Sequence, residues 1–207
     1  MFRHFKTSKN FWNYYLSIEQ DLIKISRYVE FSNDNFATYS IEFARILLSA
    51  SAEIDVLLKQ ICTFIEPEKA KKNIDDYRQV ITNKLKSFTS EKFFIDRYNL
   101  SFNPWDNWKD GKNPKWWGSY NNVKHHRNES YSEANLVNAI NATGALLITV
   151  AYFYKISFSQ EINEDVNFIE TTEHLIPESS LIRLDPRHYK YISMLDKRNW
   201  SNKPEIT

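Results

Sequence analysis

Glycine occurs only three times in 207 residues, and that scarcity limits what the chain can fold into. Glycine supplies the tight, positive-φ turns on which phosphate-cradling loops depend. No G-x-G-x-x-G and no Walker loop can be built from Gly111, Gly118 and Gly144. Long stretches of 3.6-residue period occur instead, and they point to helices. Residues 8–31 carry Phe11, Tyr15, Ile18, Leu22, Ile25 and Val29 at spacings of three and four. Ser32 to Asn35 ends that run, because short polar side chains compete with the helical backbone for hydrogen bonds. Residues 38–65 put Ile41, Ala44, Leu47, Leu48, Ile54, Leu58, Ile61 and Ile65 on one broad face, closed by Glu66-Pro67. A weaker stripe of Ile74, Tyr77, Val80, Ile81 and Leu85 marks residues 68–88.

Helical pattern returns over 116–127 and again over 132–156, where Leu136, Ile140, Leu147, Val150 and Tyr154 form the stripe. Ala139, Ala142, Gly144 and Ala145 thin this last helix enough for a neighbouring helix to approach closely. Leu47, Leu48, Ile54, Leu58, Ile61, Leu136, Ile140, Leu147 and Val150 are the expected shared core. Between the helices, residues 89–115 scatter Phe93, Phe94, Tyr98, Phe102, Trp105 and Trp108 among polar residues with no period. They read as a long aromatic-anchored loop, with Phe93–Ile95 either a short strand or a helical turn. After Phe158 an acidic stretch leads to Ser180–Leu184, an edge strand or an extended arm. The expected fold class is all-α: a helical bundle of four to five helices over residues 1–158, then a partly irregular C-terminal extension over 159–207.

Composition excludes several functions. A hydrophobic fraction of 42% supports a core, and 26% charged residues argue against intrinsic disorder. The net charge of +1 provides no global attraction to nucleic acid or anionic membrane, so any such binding needs a local patch. One cysteine, Cys62, allows no internal disulfide and no cysteine-based zinc site, and its apolar neighbours Ile61 and Phe64 suggest an inert thiol. Residues 1–6 lack a signal-peptide core, and the longest run free of charged and strongly polar groups, Gly144–Tyr154, is too short to span a bilayer. A cytoplasmic protein with no membrane association is the expectation.

Chemistry concentrates in Trp116-Trp-Gly-Ser-Tyr-Asn-Asn-Val-Lys-His-His-Arg127. On a helix Asn121 lies one turn below His125, Tyr120 lies below Lys124, and Arg127 follows Lys124 by three. Residues 109–127 hold five cations (Lys109, Lys112, Lys115, Lys124 and Arg127) against one acid, Asp110. A phosphate ester suits such a cluster, and imidazole is the side chain best poised for proton transfer near neutral pH. A basic helix end is also often a plain solvated face, favoured by the macrodipole. His125 and His126 diverge by about 100° on a helix, so they cannot both grip one metal ion. No metal and no cofactor are expected.

The stretch Tyr120-Asn-Asn-Val-Lys-His-His-Arg127, followed by Asn135-Leu-Val-Asn-Ala-Ile-Asn141, resembles the HEPN superfamily, over about residues 10–156. It is similar to bacterial HEPN-like proteins with a Y-N-x-V-K-H-x-R stretch. The family signature is Arg, then four to six residues, then His, often with Asn or Asp after the Arg. In one register Asn121 and His125 match the signature Asn and His, and Tyr120 stands where the Arg belongs. In the other, Asn121 takes the Arg position and His126 that of the His. The resemblance implies a homodimer with a composite site at its axis, in a metal-independent RNase or RNase-derived module of a defence or toxin–antitoxin system. It implies His125, Asn121, Lys124 and Arg127 as catalytic residues. Lys115, Lys124, Arg127, His126 and Tyr120 would bind RNA phosphate, and an antitoxin or defence protein would be the partner. The alternatives are a non-catalytic RNA- or nucleotide-binding module, or an adaptor whose aromatic loop is the contact surface.

Overall fold

A computed structural model describes residues 3–69 and 71–189. It is mostly helical, with seven α-helices and one small sheet among the described residues, so the all-α expectation is corrected by three short strands. Helix α1 (Asn10–Ile25) buries Trp12, Tyr15, Ile18 and Leu22. It stops six residues short of the expected end, where the Ser26 hydroxyl donates to the Ile23 carbonyl and the chain turns. Helix α2 (Ile41–Ile65) starts where the Ser40 hydroxyl accepts the Phe43 amide, and ends before Pro67 as expected. Thr38 to Ser40 are extended instead of helical, with Tyr39 bridging to Asn135. Helix α3 (Ile74–Lys84) covers less than the expected span 68–88; it starts late because Asn73 caps it by accepting the amides of Asp75 and Asp76.

The expected aromatic loop contains a hairpin. Strand β1 (Phe93–Ile95) pairs antiparallel with β2 (Leu100–Phe102), and Asn99 takes the left-handed turn position between them. A third strand, β3 (Arg183–Leu184), pairs with the other edge of β1. After the hairpin come α4 (Lys115–His125), the short α5 (Arg127–Ser130), α6 (Leu136–Ile162) and α7 (Phe168–His174). Helices α2 and α6 make the most extensive packing pair. Eight of the nine expected core residues are buried there, and Leu48 is half-buried at the margin.

Gly144 serves a different neighbour from the one expected. It faces the ring of Phe93 on β1, with no room for a Cβ between them, so the sheet and not a helix lies against α6 at this point. Helix α6, at 27 residues, is long and apolar enough to cross a membrane, but 89% of its most apolar window is buried inside the fold.

The chain after Phe158 joins the same core through Val166, Leu175, Ile182 and Leu184. Its anchor is Glu19, a fully buried carboxylate on α1. Glu19 accepts the amides of Ser180 (3.0 Å), Leu181 (3.1 Å) and Ile182 (2.9 Å), along with the hydroxyls of Tyr15 (3.1 Å) and Ser179. Burial, and then the Glu19 charge, push the Tyr15 hydroxyl well above the usual phenol range, so it stays a neutral donor. Trp12 Nε1 adds a bond to the Pro177 carbonyl at 2.9 Å. The residues from Met194 onward, expected to fray, lie outside the described residues.

Glu19→Ala should cost about 3 kcal/mol or more, because it strands three amides without partners. The expected result is a lower urea midpoint with an unchanged slope, while an unmoved midpoint would show that the anchor is dispensable. A second expectation concerns acid. The Arg183 guanidinium beside Asp96 holds that carboxyl below the usual aspartate range. A depressed folded value stabilises above the ordinary aspartate pKa of about 3.9 and loses that contribution as pH falls further. The protection of the Arg183 and Leu184 amides against exchange should therefore fall below about pH 4, and Arg183→Gln should flatten that dependence.

Candidate nucleic-acid interface

Helix α4 is placed by its buried face. Trp116, Trp117, Tyr120 and Val123 are buried, and Trp116 Nε1 donates to the Pro104 carbonyl at 2.9 Å. Trp105 and Trp108 are also buried; Trp108 stacks on Phe88, and Trp105 meets Trp116 edge-on. The four tryptophans of this region form a wall of the core. Their own rings are closed to a partner surface and to a groove.

The opposite face of α4 exposes Lys115, Asn121, Lys124 and His125. Asn121 and His125 share that face one turn apart, as their spacing requires. Lys124 Nζ donates to the Tyr120 hydroxyl at 3.2 Å and lies 5.3 Å from its ring centroid. Tyr120 thus contributes a hydroxyl that holds a lysine, and its buried ring is closed to a base. Lys115 sits at the other end of α4, about 15 Å along the axis from His125 at 1.5 Å per residue. The structure does not gather it with the other cations.

The expected helix through Arg127 is interrupted. His126 leaves helical geometry (φ −133°, ψ 41°), and α5 begins afresh at Arg127. Arg127 is therefore not stacked above Lys124 in one helical row. His126 lies at the break with its ring 6.5 Å from that of His125, and both imidazoles are exposed, as is Arg127. Among the described residues, no ion pair engages Lys115, Lys124, His125, His126 or Arg127.

The turn is held by residues that the motif did not single out. Asn122 Nδ2 donates to the Glu133 carboxylate at 3.0 and 3.2 Å, and Asn138 Nδ2 donates to the Glu133 carbonyl at 2.9 Å. Asn135 caps α6 by accepting the Asn138 amide. These bonds tie the end of α4 to the start of α6 and present the residues between them outward. They also bring acid to the patch: Glu129 and Glu133 match Lys124 and Arg127 in number, so the excess of positive charge over 109–127 is not concentrated here.

Cys62 is buried on α2, where desolvation pushes its thiol up to about 12, so it is a poor nucleophile. Among the described residues, no three His, Cys, Asp or Glu side chains cluster as a metal site would. Comparison with protein-family models, curated proteins and solved structures finds no match to this chain.

Proposed function

We propose that this chain is a HEPN-like helical module that engages RNA phosphates through the break between α4 and α5. In this reading α1, α2, α4 and α6 are the four-helix core of the HEPN-like bundle, and the sheet and α7 are additions to it. The observation that carries the proposal is the group of exposed side chains at the break. Lys124, His125, His126 and Arg127 are exposed in succession at a turn held from behind by Asn122, Glu133 and Asn138. A cation at a protein surface with no carboxylate bound to it is free to meet a phosphate.

The reaction open to this arrangement is transesterification. His125 takes the proton from an RNA 2′-hydroxyl, the oxygen attacks the adjacent phosphorus, and the bond to the 5′-oxygen breaks. The products are a 2′,3′-cyclic phosphate and a 5′-hydroxyl that has gained a proton. Lys124 and Arg127 stabilise the charge that builds on the phosphorane oxygens. A specific observation favours a second reading, a non-catalytic RNA-binding module. The residue at the signature Arg position, Tyr120, is buried and uncharged, and Lys124 offers a point charge in place of a guanidinium fork. A defence-system or antitoxin protein is the partner class that goes with either reading.

The test incubates wild type and His125→Ala with total RNA in EDTA. Fragments from wild type alone, ending in cyclic phosphate, support the RNase. Identical profiles retire it. Binding that persists in that case, and weakens with salt at a log–log slope of roughly −1.4 for two phosphate contacts, supports the second reading.

The open side of the turn suits closure by a second copy, and we propose a twofold dimer with residues 117–127 near its axis. Light scattering at tens of micromolar should give twice the chain mass of 24.7 kDa, whereas a monomer would remove the composite site.

A further inference from the structure

Six large apolar or aromatic side chains stand out from the surface of the described residues, and two of them, Tyr39 and Ile41, adjoin at the start of α2. Tyr39 is 53% exposed and Ile41 75%. This exposure does not come from a loose segment. The Tyr39 backbone bridges to Asn135, the Ser40 amide donates to the Ala134 carbonyl, and the Leu136 amide donates to the Thr38 carbonyl. The Tyr39 ring meets Tyr131 at 5.7 Å and 81°, an edge-to-face contact that fixes its orientation and leaves about half of it in water. No hydrogen bond occupies the hydroxyl of either ring among the described residues. Tyr131 caps the C-terminus of α5 and follows Arg127 by four residues, a spacing of one helical turn that puts the aromatic pair on the same side of the turn as the exposed cation.

A rigidly held, half-exposed aromatic ring beside an arginine without a carboxylate partner has the two parts of a single-strand site: a π face for a base and a charge for the next phosphate. We propose that Tyr39 is a stacking platform for one unpaired base of an RNA strand whose backbone follows Arg127 and Lys124. The patch then accepts single strands and rejects duplex, because bases in a duplex are already stacked on each other. Glu42, the nearest acid in sequence, is neutralised by Arg45 at 2.9 Å, while Glu129 is the exposed carboxylate the strand must pass. This inference rests on the RNA reading above and adds the form of the RNA.

The experiment is fluorescence anisotropy with one short labelled RNA, single-stranded or annealed to its complement, at fixed low salt. Wild type should bind the single strand and much less of the duplex. Tyr39→Ala should weaken single-strand binding roughly five- to a hundred-fold. Tyr39→Leu, which keeps an apolar contact with Tyr131 but has no π face, should show the same loss, and Tyr39→Phe should restore binding. Tyr28→Ala, at an 86% exposed ring elsewhere, should change nothing. If Arg127→Gln abolishes binding while Tyr39→Ala and Tyr39→Leu do not, the stacking platform is wrong and the RNA reading stands. Equal affinity for single strand and duplex overturns the platform in the same way. Binding of neither RNA by wild type overturns both.

Discussion

One buried carboxylate joins α1 to the segment that forms the third strand. Burying a charged Glu19 on α1 is costly unless every lone pair is answered. Here three consecutive backbone amides and the hydroxyls of Tyr15, Ser179 and Ser180 answer it. All three amides belong to residues 180–182, which lead directly into β3. The carboxylate therefore sets the position of the strand that closes the sheet edge against β1. Strand β1 in turn places Phe93 on Gly144 of α6, and the same helix begins at the capped turn that carries the exposed cations. A connection about 160 residues apart in sequence is thus linked, through one strand and one helix, to the geometry of the candidate site.

The helical part of this design is visible in the residue pattern because burial on a helix repeats every 3.6 positions. The stripes on α1, α2 and α6 are what a bundle core demands, and the structure buries or half-buries them except at Ile41, which stands 75% exposed at the start of α2. Glu19 is invisible by the same logic. It sits within the α1 stripe, but a carboxylate there reads as a polar interruption until its distant amide partners are known. The sheet is only partly legible. Phe93–Ile95 and Ser180–Leu184 read as possible strands, but segments this short carry no sustained alternation to decide it, and β2 gives no signal of its own. Helix ends shift where a side chain competes for the backbone, as Ser26 and Asn73 do.

The tryptophans show how composition misleads without period. Trp105 and Trp108 lie in a segment rich in Asn, Asp, Lys and Pro, which reads as solvent-facing. Their burial comes from pairwise contact with Phe88, Trp116 and each other, a local aromatic core that needs no helical repeat. The candidate site is legible to the same degree. Asn121 and His125 share a face because the helix covers both, whereas Lys124 and Arg127 part company where the helix breaks at His126. Tyr39 could not be associated with this region at all, since only the backbone bridge to Asn135 brings it there.

Charge alone is a weak basis for recognition at this turn. Lys124 already donates to Tyr120, and Glu129 and Glu133 offset the two permanent cations in the immediate neighbourhood. An exposed ion–phosphate contact is screened within a Debye length of about 8 Å at physiological ionic strength, so two such contacts provide little affinity by themselves. Any ligand held here must draw on something less sensitive to salt, and the surface next to Arg127 supplies it in the form of a fixed aromatic ring. A stacked base contributes through desolvation and dispersion, which the nearby carboxylates do not oppose. The same carboxylates would repel a densely charged duplex more than a single strand with half as many phosphates. The mixed charge of the turn, which weakens the case for a general phosphate site, thus supports selection by the form of the strand.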